Sequence, residues 1–346
     1  MSVNTIRIGI VGAGANTRLH HIPGFKAIEG VEVVSVCNRS RESSQRVADE
    51  YGIPKIYDHW TELVRAADTD AICIGTWPYL HCPVTLAALD ADKHVLTEAR
   101  MAMDATQARA MRDAARTKPY LVTQIVPAPT TLKHDRTIKD LIAEGYLGDI
   151  LAVELQGSGS SFVDRESPIR WRQEQDLSGY NILNMGIWYE TLMRWVGPAV
   201  KVQAMAEVNA KRRRDAEGQL RTVTVPDHVD ILCRMACGAQ AHLRFSAVMG
   251  HSRAPEVWLF GSEGTLHLDI GSDVLMGGRR ADGQLSEISI PPEKQGGWRV
   301  EEEFINAIRG KEQVTHTSFE DGVKYMEFTE AVTRSAQTGR AISLPL

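Results

Sequence analysis

The residues with the clearest chemistry stand near the start of the chain. Gly12-Ala13-Gly14-Ala15-Asn16-Thr17 follows an apolar run, IRIGIV, and opens a helical stretch. A GxGxx pattern at a strand-to-helix turn suits a pyrophosphate. Gly12 allows the tight turn, and Gly14, lacking a Cβ, lets an anion approach the backbone and the helix N-terminus. Thr17 takes the third position, where a smaller residue is usual, and is expected to widen the helix–strand contact. A second strand ends at Cys37-Asn38-Arg39-Ser40. Sites for NAD usually carry Asp or Glu there, to accept hydrogen bonds from the ribose. Asn38 has no charge to repel a 2′-phosphate, and Arg39 with Ser40 could bind one, so the stretch favours NADP over NAD. The alternative is that Arg39 is solvated and only stacks on adenine.

Other side chains could bind anions or sugars. Arg100 could hold a carboxylate, sulfonate or phosphate in its guanidinium fork, or serve a structural ion pair. Arg170-Trp171-Arg172 could line an anionic substrate pocket or form surface ion pairs. Trp188 offers an indole for a sugar ring, or a core residue. Lys211-Arg212-Arg213-Arg214, followed by Asp215 and Glu217, reads as a solvated hairpin without a function. The five cysteines, Cys37, Cys73, Cys82, Cys233 and Cys237, are scattered and odd in number. They make no disulfide framework, and without a His/Cys cluster they predict no metal site. Small buried thiols in a reduced compartment are expected.

These residues need elements to position them. Up to about residue 125 strand and helix alternate: VEVVSVCN, DAICIGT, HVLTEA and YLVTQIV are strands, with SRESSQRVADEYGI, PVTLAALDAD and DATQARAMRDAARTK as helices between them. That alternation predicts an α/β Rossmann domain, a parallel sheet covered on both faces. Beyond it, long strand-like stretches dominate: ILAVELQGSG, VKVQAMAEVNA, RTVTVPDHVDILCRMA, AQAHLRFSAV and EVWLFGSEGTLHLDI. Residues 126–346 are therefore expected to form an α+β domain with an open, mostly antiparallel sheet. The 346 residues suit two domains, and 43% hydrophobic with 24% charged residues is an ordinary globular mix. A net charge of −5 gives no footprint for nucleic acid or an anionic membrane. No apolar run is long enough to span a bilayer and the N-terminus enters a strand at once, so a cytosolic protein is expected.

The sequence resembles the glucose-fructose oxidoreductase / inositol dehydrogenase / rhizopine-catabolism family of sugar oxidoreductases. The likeness rests on IRIGIVGAG, Thr76-Trp77-Pro78-Tyr79-Leu80-His81, HVLTEAR, the helix ending EGYLGDI, GSEGTLHLD and EEEFINAIRG. It implies that Thr76, Trp77, His81, Glu98 and Ala99 lie on the cofactor, the nicotinamide facing a cleft between the domains. It also implies assembly through the open sheet, as a homodimer or homotetramer. The family usually has Glu-Lys-Pro after the fourth strand and Asp-x-Gly-x-His in the second domain. This chain has Glu98-Ala99-Arg100 and Asn184-Met185-Gly186-Ile187-Trp188. The three positions that usually handle the proton are thus Ala99, Asn184 and Trp188, none of which titrates. Arg100 cannot act as a base because its guanidinium stays protonated. Lys133, early in the helix after the Rossmann domain, is the relocated base to test first, with Tyr189 beside the altered motif as another candidate. His81 is expected to hydrogen-bond at a helix start rather than to act in catalysis.

The resemblance implies an NAD(P)-dependent oxidoreductase acting on a sugar, sugar acid or related polyol, with a non-standard base. Two other readings stay open. One is a redox-neutral lyase or glycosidase that uses bound NAD(P) transiently. The other is a dinucleotide-binding sensor or partner subunit without catalysis.

Overall fold

The early strand–helix alternation becomes a six-stranded parallel sheet in the computed structural model, which describes residues 5–346. The strands are β1 (Ile6–Val11), β2 (Val31–Cys37), β3 (Lys55–Ile56), β4 (Ala71–Ile74), β5 (His94–Thr97) and β6 (Thr123–Ile125), in the order β3-β2-β1-β4-β5-β6. β1 and β4 are buried almost throughout, as a sheet covered on both faces requires. The winding reverses between β1 and β4. In such sheets ligands bind beyond the carboxyl ends of the strands at that reversal, which is where Gly12 emerges.

The helices of this unit are α1 (Ile22–Lys26), α2 (Arg41–Tyr51), α3 (Trp60–Arg65), α4 (Pro78–Asp90), α5 (Ala105–Thr117) and α9 (Val300–Ile308). Their ends follow local chemistry. The Ser40 hydroxyl caps α2 by accepting from the Ser43 N–H, and Gly52 closes that helix in the left-handed region at φ +63°. Asp104 caps α5 through the Gln107 N–H. A π-helical stretch, Thr17–His21, precedes α1. Its wider turn is a local departure from the regular helix expected after a glycine loop.

The chain divides into two units, and the boundary expected at 125/126 needs correction. Residues up to Pro127 group with Arg299–Val323, and Ala128–Trp298 group with Lys324–Leu346. The returning segment is fixed by polar contacts between residues far apart in sequence. Ile125 and Thr317 exchange backbone hydrogen bonds, and Gln124 donates to Glu303 and to the His316 carbonyl.

The second unit holds α6 (Leu132–Ala143), α7 (Gln175–Ser178) and α8 (Met185–Val196), with most of α10 (Phe319–Thr338). Its sheet contains β7 (Ile150–Gln156), β8 (Ala199–Glu207), β11 (His228–Met235), β12 (Gln240–Ser246), β13 (Glu256–Gly261), β14 (Gly264–Asp269), β15 (Val274–Arg279), β16 (Ser286–Glu287) and β17 (Ile342–Ser343). The order is β16-β15-β14-β13-β7-β12-β11-β8-β17, antiparallel except for the β12–β7 pair. β9 (Arg212–Arg214) and β10 (Leu220–Thr222) form a separate hairpin. Alternation along β11 buries Val229, Ile231, Cys233 and Met235 and turns Asp230, Leu232 and Arg234 to the other face. Helices cover the apolar face: Tyr189 of α8 stacks on Phe328 of α10 at 3.6 Å, and Ser335 of α10 accepts from the Ala204 N–H of β8. The other face carries Met205 and Leu232, 80% and 60% exposed. No helix among the described residues is long and apolar enough to cross a membrane.

Candidate active site

The glycine loop leaves β1 with Gly12 at φ +83°, a conformation that suits glycine. A Cβ there would lie 2.5 Å from Thr76 Cγ2 and 2.8 Å from the Thr76 backbone nitrogen, so space as well as backbone angle requires glycine. The loop is braced by Asn38, whose amide oxygen accepts from the Ala13 N–H at 2.6 Å. The amide nitrogen of Asn38 donates to the Ser43 carbonyl and hydroxyl, each at 3.2 Å. Asn38 thus holds the loop from within. Arg39 and Ser40 beside it are exposed, and the Arg39 guanidinium lies 5.9 Å from the centre of the Trp77 ring. Gly14 is exposed and nearly open on its Cβ side, with only the Gly75 carbonyl within contact. Together these residues fit a dinucleotide. A Cβ-free turn sits at the winding reversal, and a cation and an indole face each other past the end of β2.

Thr17 does not act as its size predicts. It is buried, and its hydroxyl donates to the Gly12 carbonyl at 3.4 Å. Its room comes from Gly75, just past β4, where any Cβ would collide with Thr17 Oγ1 and with the Gly12 carbonyl. The bulk at position 17 is met by a missing side chain at 75, so the helix–strand contact stays close. The sequence pattern missed Gly75. The only signal was a glycine directly after an apolar strand.

Glu98 directly follows β5 in a cluster that the sequence also hides. One of its oxygens, Oε1, accepts from Asn16 Nδ2 at 2.5 Å and from His21 Nε2 at 3.0 Å. The other ring nitrogen of His21 meets Glu301 of α9. Burial works against charge on His21, but hydrogen bonds to the two carboxylates outweigh it and raise the ring to about 9. Glu98 lies below its ordinary value because its contacts with His21 and Asn16 outweigh burial.

His81 requires a correction as a cofactor ligand. It is fully buried, with Nδ1 2.8 Å from the Arg100 carbonyl and Nε2 2.9 Å from the Thr76 carbonyl. It ties the start of α4 to the stretch after β5, and burial lowers its pKa against those hydrogen bonds. Ala99 is half-buried and Arg100 buried.

In the second unit, two catalytic expectations need correction. Lys133 forms an ion pair with Asp273 at 2.5 Å, and its neighbour His134 holds the other oxygen of that carboxylate at 2.6 Å. Lys133 and then His134 lower the Asp273 pKa. With its ammonium committed to a half-exposed ion pair, Lys133 fastens the turn at Asp273 and is not poised as a base. Tyr189 is a core residue. Its oxygen accepts from the Ala199 N–H at 2.7 Å, its ring stacks on Phe328, and burial pushes the phenol above its ordinary pKa. Trp188 is also buried, packed where a Cβ on Gly157 would meet its ring at 2.9 Å, so it is not an open platform for a sugar. Asn184 stands half-buried at the start of α8.

A buried ion network fixes that helix. Arg194 pairs with Glu190 at 2.8 Å and with Asp135 of α6 at 2.9 Å, while Trp195 Nε1 donates to Asp135 at 2.8 Å. Arg170 and Arg172 are exposed on a short 3-10 turn, with the Arg172 guanidinium 4.1 Å from the Trp171 ring centre. The basic run is not merely solvated. Arg213 is 8% exposed and donates to the carbonyls of Ser167 and Asp164, and Ile169 N–H bonds the Arg214 carbonyl. The hairpin therefore holds the loop that leads to Arg170. Among the described residues no group of three or more His, Cys, Asp or Glu side chains is placed to hold a metal.

Comparison with known proteins agrees with this architecture. A model of an oxidoreductase family with an NAD-binding Rossmann fold matches residues 6–125, and a model of the GFO/IDH/MocA C-terminal domain matches residues 136–267. The chain is 30% identical to a 1,5-anhydro-D-fructose reductase of Ensifer adhaerens, covering 98% of each sequence. It is 27% identical to a dTDP-3,4-didehydro-2,6-dideoxy-alpha-D-glucose 3-reductase of Streptomyces violaceoruber, over 78% of this chain and 74% of that one. A levoglucosan dehydrogenase solved with NADH and L-sorbose shares the fold at a TM-score of 0.86, with 21% identity and 99% of both chains covered. The chain belongs to the GFO/IDH/MocA family and is an NAD(P)-dependent oxidoreductase.

Proposed function

We propose that this enzyme interconverts a carbinol and a ketone on a sugar, sugar acid or related polyol, prefers NADP to NAD, and works in the cytoplasm as a homo-oligomer. The observation that carries the sugar reading is the full-length match to a reductase of a sugar ketone. When bound, the nicotinamide supplies or accepts the hydride. The turn from Gly12 to Thr17 holds the pyrophosphate. Arg39 and Ser40 hold the 2′-phosphate, and Arg39 with Trp77 brackets the adenine. Thr76 and Ala99 border the cofactor, Asn184 orients a substrate hydroxyl, and Arg170 and Arg172 take an acidic substituent. Ala99, Asn184 and Trp188 cannot take up a proton, so the base is a non-standard one. Self-association is assigned to the sheet face bearing Met205 and Leu232, two large apolar side chains exposed there. Sedimentation should then return a multiple of 38.3 kDa, and a monomer at micromolar concentration would refute that assignment.

The cofactor preference is tested by titrating the protein with NADPH and NADH and following nicotinamide fluorescence. A charge-assisted contact from Arg39 should favour NADPH by about tenfold, roughly 1.4 kcal/mol, and Arg39→Ala should remove most of that margin. Tighter binding of NADH by the unaltered protein would reverse the assignment.

A further inference from the structure

We propose that Glu301, His21 and Glu98 form a buried chain that sets the pose of the glycine loop, making His21 a positioning residue whose second ring proton is needed for tight dinucleotide binding. The inference rests on the dinucleotide reading above. The contacts run in series from α9 to the loop: Glu301 to His21 Nδ1, His21 Nε2 to Glu98 Oε1, and the same oxygen to Asn16 Nδ2. Asn16 is the second residue after Gly14, so the last link grips the turn that would carry the pyrophosphate.

The two glutamates favour the charged ring. With both ionised, each offers only acceptors, and an imidazolium supplies a donor to each. A neutral ring would aim a lone pair at one of them, in a site where His21 is fully buried and water cannot intervene. α1 is shaped for this contact. A Cβ on Gly24 would meet the Glu301 carboxylate at 2.9 Å, so glycine stands where that carboxylate reaches the helix. His21 also ends the π-helical stretch that begins at Thr17. The glycine loop runs straight into that stretch, so a shift at His21 is carried to the loop.

The other titratable groups around the cluster do not compete for the role. Cys73 on β4 is pushed well up, by burial first and then by Glu98 and Glu301, and stays a neutral thiol. His81 on α4, which also acts on Glu98, is lowered by burial and favours the neutral ring. His21 itself is raised to about 9. A raised value means that the charged form, and the intact chain, persist below about 9 and are lost as pH climbs through it.

The test is the dissociation constant for NADH across about pH 7 to 10, followed by nicotinamide fluorescence on the full chain, with circular dichroism to report folding. NADH has no group that titrates in the upper part of that range. The unaltered protein should bind evenly to about pH 8 and roughly tenfold more weakly by about pH 10. Glu301→Gln keeps an oxygen acceptor but removes one stabilising charge, and should move the midpoint down by at least about one pH unit. A dissociation constant flat to about pH 10 in folded protein would overturn the proposal, as would an unmoved midpoint in Glu301→Gln. Should that variant fail to fold, the pH series on the unaltered protein decides alone. Absence of NADH and NADPH binding at every pH would instead overturn the dinucleotide reading, and this proposal with it.

Discussion

Gly75→Ala is expected to weaken dinucleotide binding by at least about a hundredfold and to destabilise the first unit by about 2–3 kcal/mol. The added methyl would enter space held by Thr17 Oγ1 and the Gly12 carbonyl, with Thr17 Cβ only 3.1 Å away. Thr17 is buried and cannot swing into solvent, and Gly12 O belongs to backbone that Asn38 fixes through Ala13. The loop must therefore shift, and the loop is the binding element. Adding Thr17→Ala should restore part of the stability by removing one collision, but little of the binding, since the Gly12 carbonyl still obstructs. Fluorescence titration and urea unfolding give both quantities. Binding within about threefold of the parent would show that the loop tolerates what the packing forbids.

Arg194→Met should cost the second unit about 3–5 kcal/mol. The change removes the shared partner of Glu190 and Asp135 and leaves two buried carboxylates in its place. The Ala128 N–H to Glu190 and Trp195 Nε1 to Asp135 remain, but neither supplies the missing positive charge. Asp135→Asn with Glu190→Gln in the same background should recover much of the loss, because neutral amides cost less to bury than carboxylates that have lost their arginine. Thermal unfolding is the readout. A loss under about 1 kcal/mol would mean that the network is solvated in solution.

What the sequence disclosed follows from what is local. The glycine loop and the period of the strands depend on neighbours within a few residues, and the sheets follow from alternation and burial. The missed features depend on distance along the chain. Lys133 looked like a base because its partner Asp273 lies 140 residues away. His21 carries no signal in the sequence, because the Glu98 and Glu301 that meet it lie 77 and 280 residues on. Thr17 read as a bulky departure because nothing near it announces that Gly75 makes room. The hydroxyl of Tyr189 suggests chemistry in the sequence, but the hydrophobic face of α8 requires the ring in the core. Arg213 shows the same limit in reverse: a charged run has one buried member when the register of a hairpin turns that member toward carbonyls.

The most direct test of the central claim is a single turnover. The protein is loaded with near-stoichiometric NADP⁺ or NAD⁺, mixed with pools of sugars, sugar acids and polyols, and followed by rapid absorbance of the reduced nicotinamide. A net oxidoreductase predicts a rise with at least one pool that persists as the ketone accumulates. A rise that decays while the product appears would contradict it in favour of redox-neutral chemistry, and no rise with tightly bound dinucleotide would contradict it in favour of a binding protein.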